Sequence, residues 1–213
     1  MNIKFHQVTP SPLDGVTDVY TQIWQREVEF NCSKRYIIAA PSGRGKSTFI
    51  HLIYGLRKDF RGQISIDEKN INDISAHQWA EIRQNKLSIV FQDLRLFSDL
   101  TPMENILLKV KLGAFTSMQK IEEYFEQLNI CHLKNKPCKY LSYGERQRVA
   151  ILRALVQPFE CLLLDEPFSH LDSKNAECAS SIISAECTVR NAGFIITSLG
   201  NALPLSAEIE YIL

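Results

Sequence analysis

RYIIAAPSGRGKSTFIHLIYG, residues 35–55, places a short apolar run, a glycine-rich turn and an amphipathic segment in direct succession. The run RYIIAA is short and β-branched, which is typical of a strand buried in a sheet. After the turn, Phe49, Ile50, Leu52 and Ile53 recur with helical spacing. This order predicts a strand, a tight turn and a helix, which is the local structure of a phosphate-binding loop.

The turn carries residue types that hold phosphate groups. Successive backbone N–H groups at a helix N-terminus converge on phosphate oxygens, and the helix dipole adds to the attraction. Lys46 is expected to reach the β- and γ-phosphates of ATP, Ser47 to bind Mg²⁺ and Thr48 to contact the α-phosphate. The residues predicted to bind ATP are Pro41, Ser42, Gly43, Arg44, Gly45, Lys46, Ser47 and Thr48.

Ala40 stands where the pattern G-x-x-x-x-G-K-[ST] usually has its first glycine. The position lies at the end of the predicted strand, before the turn tightens. A Cβ atom is tolerated there if the backbone keeps a negative φ. We therefore expect the loop to bind phosphate without that glycine.

A second motif, LLLDEP, ends an apolar strand in the carboxylates of Asp165 and Glu166. Taken alone, the pair also fits a solvated acidic turn. Beside a phosphate loop, Asp165 is predicted to hold Mg²⁺ and Glu166 to act as general base toward an attacking water.

The remaining pattern predicts an α/β fold with a parallel-sheet core in one domain over residues 1–213. A small antiparallel side-sheet is expected at about 1–35 and 60–72, where apolar and polar residues alternate. A helical insertion is expected at about 74–140, where Thr101 begins a capping box. The rest of the chain forms the core.

Charge and composition exclude several classes of protein. Lys plus Arg and Asp plus Glu each total 24 in 213 residues, so no global charge favours a nucleic-acid partner. Apolar runs fall far short of the roughly 18 residues that span a bilayer, so the chain is expected to be neither secreted nor membrane-spanning. Six cysteines without C-x-x-C spacing favour reduced thiols in a cytosol.

Three further motifs occur in a fixed order with the first two. They are VFQD at 90–93, LSYGERQRVAILRAL at 141–155 and SHLD at 169–172. With these motifs the chain resembles the nucleotide-binding subunit of an ATP-binding cassette (ABC) transporter over nearly its whole length. Within this family, the chain most resembles the subunits of the lipoprotein-release, macrolide-export and cell-division types. It implies a P-loop NTPase (RecA-like) core.

The resemblance implies an ATPase that acts as a head-to-tail dimer, with two ATP molecules sandwiched between subunits. Ser142, Gly144 and Glu145 would face the partner's ATP, and Gln92 would touch Mg²⁺ and the attacking water. Asp172 belongs to the D-loop, the segment SHLD at 169–172. The cofactors implied are ATP and Mg²⁺, and the other partner is a separate transmembrane permease at the cytoplasmic face of the membrane. Alone, Ser142 also fits an ordinary helix cap.

The chain departs from the family pattern at three places. The segment that begins LSYGE at residue 141 corresponds to the family's signature, which usually has two adjacent glycines. Tyr143 replaces the first of them, so its side chain is expected to point away from the γ-phosphate. For the adenine ring, Tyr20 and Trp24 are the nearest aromatic candidates, and Leu13 offers an apolar contact. Ser198 stands where the family usually has a histidine, and a serine carries no charge. We expect Ser198 to donate one hydrogen bond there and hydrolysis to persist, more slowly, through Glu166.

Other functions fit less of the sequence. An ATP-gated clamp with little turnover is suggested by Ser198 and Tyr143, but Glu166 argues against it. Chromosome-maintenance or ribosome-associated ABC proteins need a long coiled coil or two cassettes, which 213 residues do not hold. His170 fits an interface residue better than a group that reaches the partner's nucleotide.

Overall fold

The structure is a computed structural model and describes residues 1–13, 21–113, 116–200 and 203–213. The strands are β1 (Asn2–Pro10), β2 (Glu27–Asn31), β3 (Arg35–Ala39), β4 (Phe60–Ile66), β5 (Lys69–Asn70), β6 (Leu87–Val90), β7 (Cys161–Asp165), β8 (Gly193–Ser198) and β9 (Ile209–Ile212). The α-helices are α1 (Lys46–Ile53), α2 (Ala76–Asn85), α3 (Pro102–Lys111), α4 (Met118–Gln127), α5 (Tyr143–Leu155) and α6 (Ser173–Val189).

Five parallel strands form the core sheet in the order β6-β7-β8-β3-β9. Residues of β6, β7 and β8 are buried on both faces, which explains why their sequences are mostly apolar and do not alternate with exposed polar residues. The register pairs Asp165 with Thr197 and Ala39 with Ser198. The carboxyl ends of β7, β8 and β3 therefore lie side by side at one edge of the sheet.

Four antiparallel strands form the side-sheet in the order β2-β1-β4-β5. Phe5 of β1 lies opposite Val28 on one neighbour and Ile64 on the other, so the alternation in the sequence corresponds to one buried face. The register shifts between His6 and Thr9. A Cβ atom on Gly62 would lie 2.3 Å from the carbonyl oxygen of Gln7, so this irregularity requires a glycine on β4.

The buried apolar residues form two hydrophobic clusters, one on each face of the core sheet. The side-sheet, α1 and one face of the core sheet enclose the first cluster, in which the rings of Phe5, Phe30 and Phe49 pack edge to face or tilted. The second cluster joins the opposite face of the core sheet to α3, α4, α5 and α6. The core sheet thus separates the two clusters.

The helical segment differs from the prediction at its start. Strand β6 lies inside the stretch 74–140 and pairs with β7 in the core sheet. Its four residues LSIV, of which three are apolar, are too few to be distinguished from a helix face by periodicity. The helices α3 and α4 follow it, and the capping box of Thr101 and Glu104 begins α3 as predicted. Among the described helices, none has the length and apolar character that crossing a bilayer requires.

Candidate active site

The phosphate loop joins β3 to α1 through two glycines with left-handed backbone angles. The φ angles are 78° at Gly43 and 93° at Gly45, which L side chains rarely adopt. A Cβ atom on Gly45 would also lie 2.9 Å from Cδ1 of Leu13. Helix α1 then begins at Lys46 with no side-chain cap, so its first N–H groups remain available to an anion.

Lys46 is 5% exposed and its ammonium group is held at the centre of the site. Its Nζ donates to the carbonyl oxygens of Ala40 at 2.9 Å and Pro41 at 3.1 Å. It also lies 3.2 Å from Oε1 of Glu166. These acceptors satisfy a buried cation, and they place Lys46 and Glu166 at the same centre.

Ala40 has the backbone conformation that the sequence analysis requires. It is buried, and its φ is not positive. Its N–H donates to the carbonyl oxygen of Ser198 at 3.0 Å, which continues the β3–β8 ladder by one residue. The missing glycine is therefore replaced within extended backbone, upstream of the tight turn.

Thr197 links the carboxylate of Asp165 to the backbone of Glu166 at the end of β7. Its hydroxyl donates to Oδ1 of Asp165 at 2.7 Å, and it accepts the N–H of Glu166 at 3.2 Å. Asp165 is buried, and no described residue bonds to its Oδ2. An unpartnered buried carboxylate oxygen is costly unless a cation approaches it.

Glu166 has φ of 49°, a strained value for a non-glycine residue. Its carbonyl oxygen accepts from Nε2 of Gln147 at 3.2 Å and from the hydroxyl of Ser169 at 3.1 Å. Together with the bond from the Glu166 N–H to Thr197, they hold the strained backbone on both sides of its Cα. Such strain persists where the surroundings fix it, as is common at active sites.

Ser47 and Gln92 meet across the site. The Ser47 hydroxyl donates to Oε1 of Gln92 at 3.2 Å, although 45 residues separate them. Both line a cavity of about 400 Å³. Its walls are formed by Ser47, His51, Gln92, Asp93, Arg95, Tyr143 and Asp165. Burial is the main cause that lowers the pKa of His51, so this imidazole is mostly neutral near pH 7.

The three oxygen-bearing side chains predicted for Mg²⁺ lie around this one cavity. Ser47, Gln92 and Asp165 supply a hydroxyl, an amide oxygen and a carboxylate, which are the ligand types that Mg²⁺ prefers. The free Oδ2 of Asp165 is the observation that favours a cation here. The residues present therefore fit the ion.

The signature segment begins helix α5 as a complete capping box. The Ser142 hydroxyl accepts the N–H of Glu145 at 3.3 Å, and Oε2 of Glu145 accepts the N–H of Ser142 at 2.7 Å. The second bond lowers the pKa of Glu145, so this carboxylate is ionised near neutral pH. A Cβ atom on Gly144 would lie 2.7 Å from the carbonyl oxygen of His170, so the D-loop packs directly on this turn.

Tyr143 points toward its own chain's glutamine loop, defined here as residues 91–95. Its hydroxyl donates to the carbonyl oxygen of Gln92 at 2.5 Å. Its ring centroid lies 4.1 Å from that of His170. His170 is thus engaged within its own chain, where its ring packs on Tyr143.

Ser198 lies at the end of β8, and Asp172 lies at the start of α6. The Ser198 hydroxyl accepts the N–H of Gly200 at 3.1 Å. Together with Glu166 and Thr197, Ser198 lines a cavity of about 440 Å³. Asp172 caps α6, since its Oδ1 accepts the N–H of Asn175 at 2.9 Å.

Of the three candidates for the adenine contact, Trp24 and Leu13 lie among the described residues. Trp24 is 7% exposed, and its ring lies 6.3 Å from Phe5 and 6.1 Å from Phe49, so it is a core residue beneath Gly45. This burial argues against Trp24 as the ring that stacks on adenine. Leu13 is partly exposed beside the same glycine. Tyr20 lies outside the described residues.

Two residues of the site were missed by the sequence analysis. Gln147 is buried on α5, and besides its bond to Glu166 it accepts the N–H of His170 at 3.2 Å. Thr197 positions both Asp165 and Glu166. A polar residue among the apolar positions of α5 and a threonine at a strand end were the available signals.

The fold and the site define a P-loop nucleotide hydrolase, with a phosphate loop beside the carboxylates of a neighbouring parallel strand. Residues 25–169 match the ABC transporter family, and the chain belongs to this family.

Two similar relatives carry the name lipoprotein-releasing system ATP-binding protein LolD. The protein of Buchnera aphidicola is 38% identical over 164 residues, which cover 76% of this chain and 72% of that protein. The protein of Saccharophagus degradans is 30% identical over 200 residues, which cover 92% and 84%.

A solved structure of MJ0796, described as a dimeric bacterial ABC transporter cassette, superimposes with a TM-score of 0.77 at 28% identity. The match covers 92% of this chain and 88% of that chain. The same cassette has been solved as a dimer in a post-hydrolysis state with ADP and Pi. This chain is accordingly an ATP-binding and ATP-hydrolysing subunit of the ABC type.

Ala40→Gly is expected to change the dissociation constant for ATP by less than about twofold, because position 40 has an ordinary backbone conformation. Gly45→Ala is the matched contrast. It should weaken binding by about tenfold or more, since it forces a Cβ atom into left-handed backbone beside Leu13. Equilibrium titration with a fluorescent ATP analogue measures both. A large gain in affinity from Ala40→Gly would contradict this account of the loop.

Proposed function

We propose that this chain powers a lipoprotein-releasing type of exporter, as a homodimer that sandwiches two ATP molecules and binds a separate membrane permease at the cytoplasmic face. The observation that carries the hydrolytic part is the contact between Lys46 and Glu166, at 3.2 Å, beside the unpartnered oxygen of Asp165. A cation, a general base and a metal ligand then lie around one phosphate loop.

In this proposal each residue has one role. The phosphate loop, residues 41–48, binds the phosphates through its N–H groups, and Lys46 exchanges its carbonyl acceptors for phosphate oxygens. Glu166 accepts a proton from water, and Gln92 orients that water. Ser47, Gln92 and Asp165 would hold Mg²⁺, which when bound neutralises charge on the phosphates.

The dimer is supported by the two MJ0796 structures, both described as dimeric. The cap of α5 occupies the N–H groups of Ser142 and Glu145, and in this proposal the N–H groups between them, those of Tyr143 and Gly144, bind a partner's γ-phosphate. In this arrangement Ser142, Gly144 and Glu145 serve the nucleotide of the other subunit, and Asp172 positions the adjoining loop. The relatives named LolD support the assignment to lipoprotein release.

Two exposed aromatic side chains suggest where the permease binds. Phe97 and Tyr140 are 60% and 62% exposed. They stand on adjoining segments, because the N–H of Lys139 donates to the carbonyl oxygen of Ser98 at 2.8 Å. We assign this aromatic patch, Phe97 and Tyr140, as the contact with the permease, since exposed aromatic rings are enriched at interface centres.

Glu166→Gln should lower steady-state ATP turnover by at least about 100-fold, because the amide cannot accept the proton from water. Wild-type specific activity should rise with protein concentration, since each site is completed by a second copy. Turnover is measured with Mg²⁺ over a range of concentrations, with ATP binding as the control for folding. If ATP binds and the wild type shows no turnover at any concentration, the ATPase proposal for the isolated chain fails.

Ser198→His is expected to raise turnover by about tenfold, which corresponds to roughly 1.4 kcal/mol in the barrier. An imidazole can carry charge to the γ-phosphate, and the cavity of about 440 Å³ beside Ser198 offers space for the ring. Ser198→Ala is the matched control, because it removes the hydroxyl and adds no ring. Turnover of both variants is measured in single-turnover and steady-state assays. If Ser198→His gives no gain in turnover, the serine does not limit the rate.

Phe97→Ala should reduce co-purification of the chain with the membrane subunit of a lipoprotein-releasing transporter, by about tenfold or more. Only backbone atoms of Phe97 bond to Asn105, so the truncation leaves the loop intact. Val189→Ala removes an apolar side chain that is 81% exposed at the end of α6 and serves as the control. Equal recovery of both variants would show that the patch lies elsewhere.

A further inference from the structure

The signature helix α5 is bonded to the glutamine loop at two points. At its first turn, the Tyr143 hydroxyl donates to the carbonyl oxygen of Gln92 at 2.5 Å. At its last turn, the guanidinium of Arg153 donates to the carbonyl oxygens of Leu94 at 2.7 Å and Arg95 at 2.6 Å. The backbone of the loop is therefore held by side chains of one helix.

The glutamine loop needs such external donors because its own conformation is unfavourable. Leu94 and Arg95 have φ angles of 60° and 46°, so two consecutive non-glycine residues are left-handed. Each costs free energy that other contacts must offset. Without donors from α5, the loop would relax, and the side chain of Gln92 would move with it.

The two attachments differ in their surroundings. Arg153 lies beneath the loop, and burial lowers its pKa. Tyr143 instead lines the cavity that also holds Ser47 and Asp165, next to the hydrogen bond between Ser47 and Gln92. The bond from Tyr143 therefore acts at Gln92, the loop residue whose side chain accepts the hydrogen bond from Ser47.

We propose that Tyr143 is a positioning residue, whose hydroxyl locks the backbone of Gln92 so that its amide oxygen stays on Ser47. A glycine at position 143 has no side chain and cannot make this bond. The inference rests on the proposed role of Gln92 in hydrolysis. It also gives that role a link to the dimer, because the turn that carries Tyr143 is the turn proposed to meet the partner's nucleotide.

The ring of Tyr143 is fixed independently of its hydroxyl. His170 packs on it with a centroid distance of 4.1 Å, and the guanidinium carbon of Arg146 lies 5.3 Å from its centroid. A phenol is a hydrogen-bond donor at neutral pH, so the Tyr143 hydroxyl can make this bond. Tyr143→Phe should consequently remove the bond and leave the ring in place.

The first experiment measures hydrogen exchange in the nucleotide-free chain. In Tyr143→Phe, the amides of residues 91–95 should exchange about three- to tenfold faster, the loss expected for one neutral hydrogen bond. The control is Tyr211→Phe, which removes a hydroxyl from a ring that packs on Phe30 and Tyr36. In this variant the amides of residues 91–95 should exchange like those of the wild type. Unchanged exchange in Tyr143→Phe overturns the proposal.

The second experiment separates positioning from general structure. Tyr143→Phe should lower kcat by a similar factor and leave the ATP dissociation constant and KM unchanged, because the phosphate loop is untouched. Faster exchange with an unchanged kcat overturns the positioning role. If only Tyr143→Gly alters both measurements, the bulk of the ring acts and the hydroxyl does not.

The two proposals fail in different ways. If the wild type binds ATP and shows no turnover, the proposed function fails, while the exchange experiment still decides whether the hydroxyl holds the loop. If Glu166→Gln abolishes turnover and Tyr143→Phe matches the wild type in exchange and kcat, only the inference about Tyr143 fails.

Discussion

The parallel register of β3, β8 and β7 is the constraint on which the site depends. It sets Ala39 beside Ser198 and Thr197 beside Asp165 at one edge of the sheet. The hydroxyl of Thr197 then bonds both to the Asp165 carboxylate and to the Glu166 backbone. A shift of one strand by one residue would turn these side chains to the other face of the sheet and separate them.

Much of this arrangement could be predicted from the sequence, because local chemistry carries it. Two glycines before Lys46 require a tight turn, an apolar run before Asp165 requires a buried strand, and Ser142 with Glu145 forms a capping box. Each signal lies within a few residues of the feature it predicts. The order of the motifs along the chain then indicated the family to which the chain belongs.

The remainder could not be predicted, because it depends on contacts between distant segments. The bond from Tyr143 to Gln92 joins residues 51 positions apart, and the bond from Gln147 to Glu166 spans 19. Trp24 looked available for stacking, but its burial follows from Phe5 and Phe49 on other elements. Strand β6 was included in the predicted helical stretch because LSIV, three apolar residues and a serine, is too short to show a period of its own.

The close approach of the His170 carbonyl to Gly144 changes how a mutational scan of the signature should be interpreted. Any side chain at position 144 would collide with the D-loop of the same chain before a nucleotide is present. Inactive variants at this position would therefore report on folding of the monomer as much as on contact with ATP. The two signature positions differ in what they tolerate. Packing against the His170 carbonyl limits position 144 to glycine, whereas position 143 accommodates a large ring.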